Sequence, residues 1–242
     1  MDAPAAAVIV AAGSSDRMGG RKKEYLPLGK DAVDGEGKPL SVLGAAVLAF
    51  ASVPRIDPII IVVPANGEQG EYAARLSLPS RLFYPGARPR ILFVPGGPSR
   101  RLSVHHGLSL LEGYRPALVL IHDGARPWVE GELIERTIDG ALKYRAVVPV
   151  MPLTETPKEV GPEGIIRRHL RRSQTVTAQT PQGFIFPEIL RAHEKAAERE
   201  LGEGVEYTDD AEIWGEFCGP VASIPGSAVN RKITFPGDLE GP

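Results

Sequence analysis

The chain has 242 residues, 43% of them hydrophobic and 24% charged, ordinary proportions for a globular protein able to bury a substantial core. A formal net charge of −2 excludes capture of nucleic acid or anionic membrane by the overall field, so any positive site must be local. The single cysteine, Cys218, excludes an intramolecular disulfide, and no Cys/His cluster has structural-zinc spacing.

In chain order, apolar strand-type runs alternate with helical patterns. "AAVIVA" is a predicted strand, Ser41 to Val53 a helix and "PIIIVVP" a strand. "GEYAARLSL" follows as a helix, "RILFVP" as a strand, "RRLSVHHGLSLLEG" as a helix and "ALVLIHD" as a strand. "EGELIERTIDGALKYR" is helical, and "AVVPV" closes the series. The strands are continuous apolar runs, as expected when helices cover both faces. The alternation predicts an α/β doubly wound, mostly parallel sheet, whose ligands bind at the carboxyl ends of the strands.

From Met151 to Gln179 the pattern changes to short charged pieces around a "GPEG" turn. This segment reads as a protruding β-hairpin arm, with Arg145, Arg167, Arg168, Arg171 and Arg172 nearby. Such a ribbon is marginally stable alone, so it is expected to pack on a second subunit; a long surface loop is the competing reading. Pro187 to Glu200 and "DDAEIWGEF" are predicted helices and "GPVASIP" a last strand. The N-terminus lacks the basic region of a signal peptide, and no apolar run approaches the ~18 residues of a membrane span. With a lone thiol, these features lead us to expect a cytoplasmic protein without membrane association.

The segment "VIVAAGSSDRMGGRKKEYLPLGK" runs from a buried strand into a glycine-broken basic loop. Small residues at Ala11, Ala12 and Gly13 permit close backbone approach to a ligand. Arg17, Arg21, Lys22 and Lys23 follow; such cations suit a triphosphate, and equally a solvated basic surface. Neither the P-loop GK[ST] nor GxGxxG is present. "GGPSRRLSV" sets Gly97 at a strand end and Ser103 near a helix start, for a base or phosphate or as a plain capped turn. "IHDGARP" sets Asp123 after a buried strand, a natural Mg²⁺ ligand beside polyphosphate or simply a turn residue. "NRKIT" puts Lys232 in a strand-like context, with an ordinary exposed strand lysine as the competing reading. "AQTPQGF" and "YTDDAE" offer Thr180, Thr208, Asp209 and Asp210, of which Thr208 or Asp209 equally suits a helix N-cap. His122 is expected buried and hydrogen-bonded, and GxSxG and HExxH are absent.

"AAGSSDRMG", "KKEYLPLG", "GGPSRRLSV", "IHDGARP", "TETPK", "AQTPQGF", "TDDAE" and "NRKIT.PGDL" occur in the order of one family. Each is weakly specific alone, but together, from about Ala6 to Leu239, they make the sequence resemble the 2-C-methyl-D-erythritol 4-phosphate cytidylyltransferases. The resemblance implies a Rossmann-like single nucleotidyltransferase domain over 1–242, with a homodimerisation arm at about 151–179. It implies that CTP and a polyol phosphate are the substrates and Mg²⁺ the cation. Ala11, Ala12, Gly13, Gly97 and Ser103 would hold the cytidine. Arg17 and Lys23 would meet the CTP phosphates and Lys232 the α-phosphate, as the catalytic cations. Asp123 would stand near Mg²⁺ and the acceptor. Gly124, Arg126, Thr180, Thr208 and Lys232 would line the acceptor site, with Thr156 and Arg172 reaching across from a partner's arm.

Several residues depart from the family pattern. Gly124 stands where "HDAARP" has alanine, which would loosen the loop; Glu24 stands in "KEYL" for "KQYL"; and "KDAVDGEGKP" is long enough to border the site. "TETPK" stands where the family has "DTxK". The expected reaction is cytidylyl transfer with release of pyrophosphate, in non-mevalonate isoprenoid precursor biosynthesis. A ribitol 5-phosphate cytidylyltransferase shares the motifs, and a non-catalytic nucleotide sensor is the alternative from another class.

Overall fold

The apolar runs form strands β1 (Ala5–Val10), β2 (Ile56–Val63), β3 (Ile91–Pro95), β4 (Leu118–Asp123) and β5 (Ala146–Pro152). Helices α1 (Val42–Ala51), α2 (Glu68–Leu76), α3 (Arg100–Leu111) and α4 (Gly131–Tyr144) connect them. The computed structural model describes residues 4–15, 18–29, 32–66 and 68–240. Beyond β5 come the short pair β6 (Lys158–Val160) and β7 (Ile166–His169), then β8 (Val176–Ala178) and β9 (Gln182–Ile185). Helices α5 (Phe186–Glu203) and α6 (Asp210–Phe217) and strand β10 (Ala222–Pro225) follow.

The main sheet runs β10-β5-β9-β4-β1-β2-β3, with β8 added on β5. All of its strands point one way except β8 and β9. Alternate residues feed two cores because both faces are covered. Ile9, Ile61 and Leu120 pack with α1, α2 and α4, whereas Val8, Ile60 and Val119 pack with α3, α5 and α6. The predicted doubly wound sheet is therefore observed.

Register determines where ligands can approach. Val10 pairs with Val62 on one side and Asp123 on the other, and Val63 pairs with Pro95. The carboxyl ends of β1, β2, β3 and β4 therefore finish level, and the chain leaves them as loops on one edge.

One expectation is corrected and two segments gain detail. Within "AQTPQGF", the residues after Pro181 begin strand β9, inserted antiparallel between β4 and β5. Gly183 is required there, because a Cβ would lie 2.8 Å from Thr137 Cγ2 on α4. Within the expected arm at about 151–179, β5 continues to Pro152 and pairs with β8, and β6 and β7 pair separately as a hairpin whose strand residues are exposed. "NRKIT" forms no strand; Ile233 anchors this segment through its N–H to Ala125 O at 2.8 Å and by burial beside Leu28 and Val42.

Phe184 is fully buried on β9, 5.6 Å between ring centroids from Trp214. Phe184→Ala is expected to cost about 3–5 kcal/mol of stability, read as a lowered urea midpoint. A wild-type midpoint would contradict the assignment of β9 to the core.

Candidate active site

At the level edge lies a cleft of about 580 Å³. Its walls are the loop after β1 (Ala12 to Ser15), the turn into α3 (Gly97 to Arg100, and Ser103), and Asp123 and Ala125 after β4. Lys23 and Glu24, from a 3₁₀ turn at Lys23–Tyr25, and Lys232 and Thr234, near the C-terminus, complete it.

Small residues shape the wall formed by the turn into α3. Ser99, rather than Ser103, caps α3, accepting a hydrogen bond from Leu102 N at 3.1 Å. Ser103 sits one turn further on, where its hydroxyl accepts from Gly97 N at 3.1 Å and donates to Ser99 O at 2.9 Å. A Cβ on Gly97 would lie 2.5 Å from Leu102 Cγ, so the turn needs glycine to lie this close to the helix.

Asp123 gathers the cations. Its Oδ2 lies 2.9 Å from Lys232 Nζ and 3.4 Å from Arg126 Nε, and its Oδ1 lies 3.8 Å from Arg100 Nε. Burial alone would raise the Asp123 pKa, but Lys232, Arg100 and Arg126 outweigh it and hold the carboxyl well below the usual range. The carboxylate is therefore charged at neutral pH.

Beneath it, His122 is fully buried. His122 Nε2 lies 3.2 Å from Arg126 O, which can only accept, so Nε2 carries the proton and Nδ1 accepts. The Thr180 hydroxyl donates to that Nδ1 at 3.0 Å and accepts from Asp123 N at 3.0 Å. Burial pushes the His122 pKa down to about 4, so the imidazole is neutral and structural.

The C-terminal segment that carries Lys232 is clasped from below. Asn230 Nδ2 donates to Thr180 O at 2.8 Å, Gln179 Nε2 donates to Ser227 O at 2.9 Å, and Arg126 Nη1 donates to Asn230 O at 2.9 Å. In the opening loop, Lys22 is not a surface residue: its side chain is 18% exposed and donates to Gly13 O at 2.5 Å. Glu24 faces Lys22 at 3.5 Å and accepts from Ser15 Oγ at 3.3 Å, so its charge is paired within the loop.

Of the residues named from sequence, Ala12, Gly13, Lys23, Gly97, Ser103, Asp123 and Lys232 line one cleft. Ala11 is fully buried behind it, its N–H bonded to Val62 O. Arg126 and Thr180 hold Asp123. Gly124 is pinned rather than loose, its N–H bonded to Val10 O at 2.9 Å, with room for a Cβ only 3.0 Å from that oxygen. Thr208 is exposed and bonds Glu212 at the start of α6. Thr156 and Arg172 are exposed outside the cleft, with Arg172 donating to Thr154 O. Arg17 lies outside the described residues, and no described residue of "KDAVDGEGKP" lines the cleft. Asp210, offered by "YTDDAE", is buried outside the cleft, and the residues that sequence reasoning missed are Arg100, Gln179 and Asn230. "SR" at a helix start signals Arg100, but nothing local signals the others.

Three comparisons bear on this geometry. The family profile described as IspD, 2-C-methyl-D-erythritol 4-phosphate cytidylyltransferase, matches residues 5–241. Bifunctional IspD/IspF enzymes of Mesorhizobium japonicum and a Bradyrhizobium species are 35% and 38% identical, each over 97% of this chain and 53% and 54% of their own lengths. The chain thus spans about half the length of these curated relatives. The 4-diphosphocytidyl-2C-methyl-D-erythritol synthase of Anaerococcus prevotii superposes with a TM-score of 0.75 at 28% identity, covering 98% of this chain and 93% of that one. The 2-C-methyl-D-erythritol 4-phosphate cytidylyltransferase of Francisella tularensis gives 0.74 at 26%, covering 98% and 97%.

Thr180→Val removes both hydrogen bonds beneath Asp123 and is expected to cost about 1–3 kcal/mol through the unsatisfied buried groups. Thr180→Ser should recover most of this in denaturant titrations. A valine variant as stable as wild type would contradict the role given to the hydroxyl.

Proposed function

The chain belongs to the 2-C-methyl-D-erythritol 4-phosphate cytidylyltransferase family, and on that premise we propose that it transfers the cytidylyl group of CTP to 2-C-methyl-D-erythritol 4-phosphate. The products are 4-diphosphocytidyl-2-C-methyl-D-erythritol and pyrophosphate, a step of non-mevalonate isoprenoid biosynthesis. The observation that carries this reading is the single cleft uniting Lys23, Lys232, Arg100 and Asp123 with the small residues Ala12, Gly13, Gly97 and Ser103.

In this reading the turn residues receive the cytidine, with Ala11 supporting them from behind. Lys23 and Arg17 face the phosphates, and Lys232 faces the α-phosphate. The acceptor meets Asp123, Gly124, Arg126, Thr180, Thr208 and Lys232. Thr156 and Arg172 complete an acceptor site only if the arm belongs to a second copy, and their exposure away from this chain's cleft supports a homodimer. The arm's exposed Val160, Ile165 and Ile166 support it too. The chain then works as a single nucleotidyltransferase domain.

A phosphomonoester has a second pKa of about 6, so at neutral pH its oxygen is already a nucleophile. No general base is required, which agrees with a buried, neutral His122. An acceptor phosphate oxygen attacks the α-phosphorus in line; the new P–O bond forms as the bond to pyrophosphate breaks. Charge grows on the α-phosphoryl oxygens and on the leaving group, and Lys23 and Lys232, already placed at the cleft, stabilise it together with Arg17.

Among the described residues, no three His, Cys, Asp or Glu side chains are grouped to hold a metal. A Mg²⁺ ion shared between one carboxylate and substrate phosphates nevertheless fits, because Lys232 and Arg126 meet Asp123 at Oδ2 and Arg100 Nε stands 3.8 Å from Oδ1, beyond hydrogen-bond distance. Asp123 would hold the ion, which when bound neutralises phosphate charge. No helix among the described residues is long and apolar enough to cross a membrane, and with the lone Cys218 we take the enzyme to be cytoplasmic.

Pyrophosphate release is expected with CTP and 2-C-methyl-D-erythritol 4-phosphate, and at a far lower rate with ribitol 5-phosphate. A preference for ribitol 5-phosphate would reassign the acceptor, and no release with either would leave a nucleotide sensor. In the same assay Lys23→Ala should lower turnover by a factor of about 10²–10³ while melting as wild type does. Near-wild-type turnover would remove Lys23 from the reaction.

A further inference from the structure

Asp210 is fully buried, outside the cleft, and is the first residue of α6. A buried carboxylate is costly unless something requires its charge, and the helix start does not. Asp209 already caps α6, accepting from Glu212 N at 2.9 Å, and Gln182 Oε1 accepts from Ala211 N at 3.1 Å. What Asp210 contacts is Arg100, with Nη2 to Oδ2 at 2.8 Å. On its other side, His193 Nε2 lies 3.2 Å from Asp210 Oδ1, and both of these side chains are wholly inaccessible. His193 in turn stacks on His105, with ring centroids 6.4 Å apart.

Arg100 therefore stands between two carboxylates, at 2.8 Å from Asp210 behind the cleft and 3.8 Å from Asp123 within it. The closer contact draws the guanidinium off Asp123. Its side chain remains 30% exposed on the cleft wall, in the first turn of α3, where the helix dipole also favours an anion. A planar guanidinium can answer a buried carboxylate with one nitrogen and still present donors to a phosphate, which a lysine ammonium does far less well.

We propose that Arg100 is a polyphosphate-binding residue of this cleft and that Asp210, backed by His193, is its positioning residue. The inference rests on the nucleotide reading of the cleft but not on the identity of the acceptor. Asp210 acts only through Arg100: it orients the guanidinium toward the bound nucleotide and keeps it from collapsing onto Asp123.

The test is calorimetric binding of CTP, and separately of inorganic pyrophosphate, to wild type, Arg100→Ala, Asp210→Asn and the double variant. Each single variant is expected to bind CTP about tenfold more weakly, and the double variant no more weakly than Arg100→Ala alone. A merely structural Asp210 would lower the melting temperature and leave the affinity of the folded fraction unchanged. Wild-type affinity in Asp210→Asn, or losses that multiply in the double variant, would overturn the proposal. If Asp210→Asn does not fold, Arg100→Lys decides: a comparable loss supports the shared fork, and full affinity overturns it. A wild-type chain that binds neither CTP nor pyrophosphate would overturn this proposal too. The expected binding pattern without transfer to methylerythritol phosphate would support it while counting against the proposed reaction.

Discussion

The carboxylate of Asp123 is the constraint around which the cleft is arranged. It ends a strand buried on both faces, where an isolated charge would cost several kcal/mol. Lys232, Arg126 and Arg100 converge on it from three separate parts of the chain. Each side of this arrangement requires the other. Without the cations Asp123 would be driven toward protonation, and without Asp123 three like charges would crowd one side of a 580 Å³ cleft.

The fold makes the convergence possible through register. Because Val10, Val62 and Asp123 pair side by side, the strand ends and their loops share one edge. The C-terminal segment brings Lys232 there without the help of a strand. Ile233 is anchored in a small apolar cluster, and Asn230 and Gln179 supply the hydrogen bonds. Thr180 links these layers, touching His122, the backbone of Asp123 and, through its carbonyl, Asn230. The wall formed by the turn into α3 relies instead on missing side chains, with Gly97 pressed against Leu102.

Much of this was legible in the residues. Continuous apolar runs separated by helical patterns signal a sheet covered on both faces, and small or charged residues at the strand ends mark the binding edge. Strand β9 was harder to see: it is four residues long, follows a proline, and contains a glycine chosen for packing on α4 rather than for a turn. Ser99 and Ser103 both suit a helix start, and only the hydrogen bonds tell the cap from the bracing residue. Lys22 reads as surface because a charge run usually is, yet the Gly13 carbonyl and Glu24 draw it inward. The Arg100–Asp210 pair spans 110 positions, and no local pattern announces a partner so distant. Thr156 and Arg172 had a motif to locate them but lie apart from this chain's cleft, so their meaning depends on assembly.

The most direct test of the account is a crystal structure of the chain with CTP and Mg²⁺. The account predicts cytosine against Ala12, Gly97 and Ser103, with the triphosphate running between Lys23 and Lys232 and the cation beside Asp123. A nucleotide bound elsewhere, or in this cleft with its phosphates directed away from Lys23 and Lys232, would contradict it.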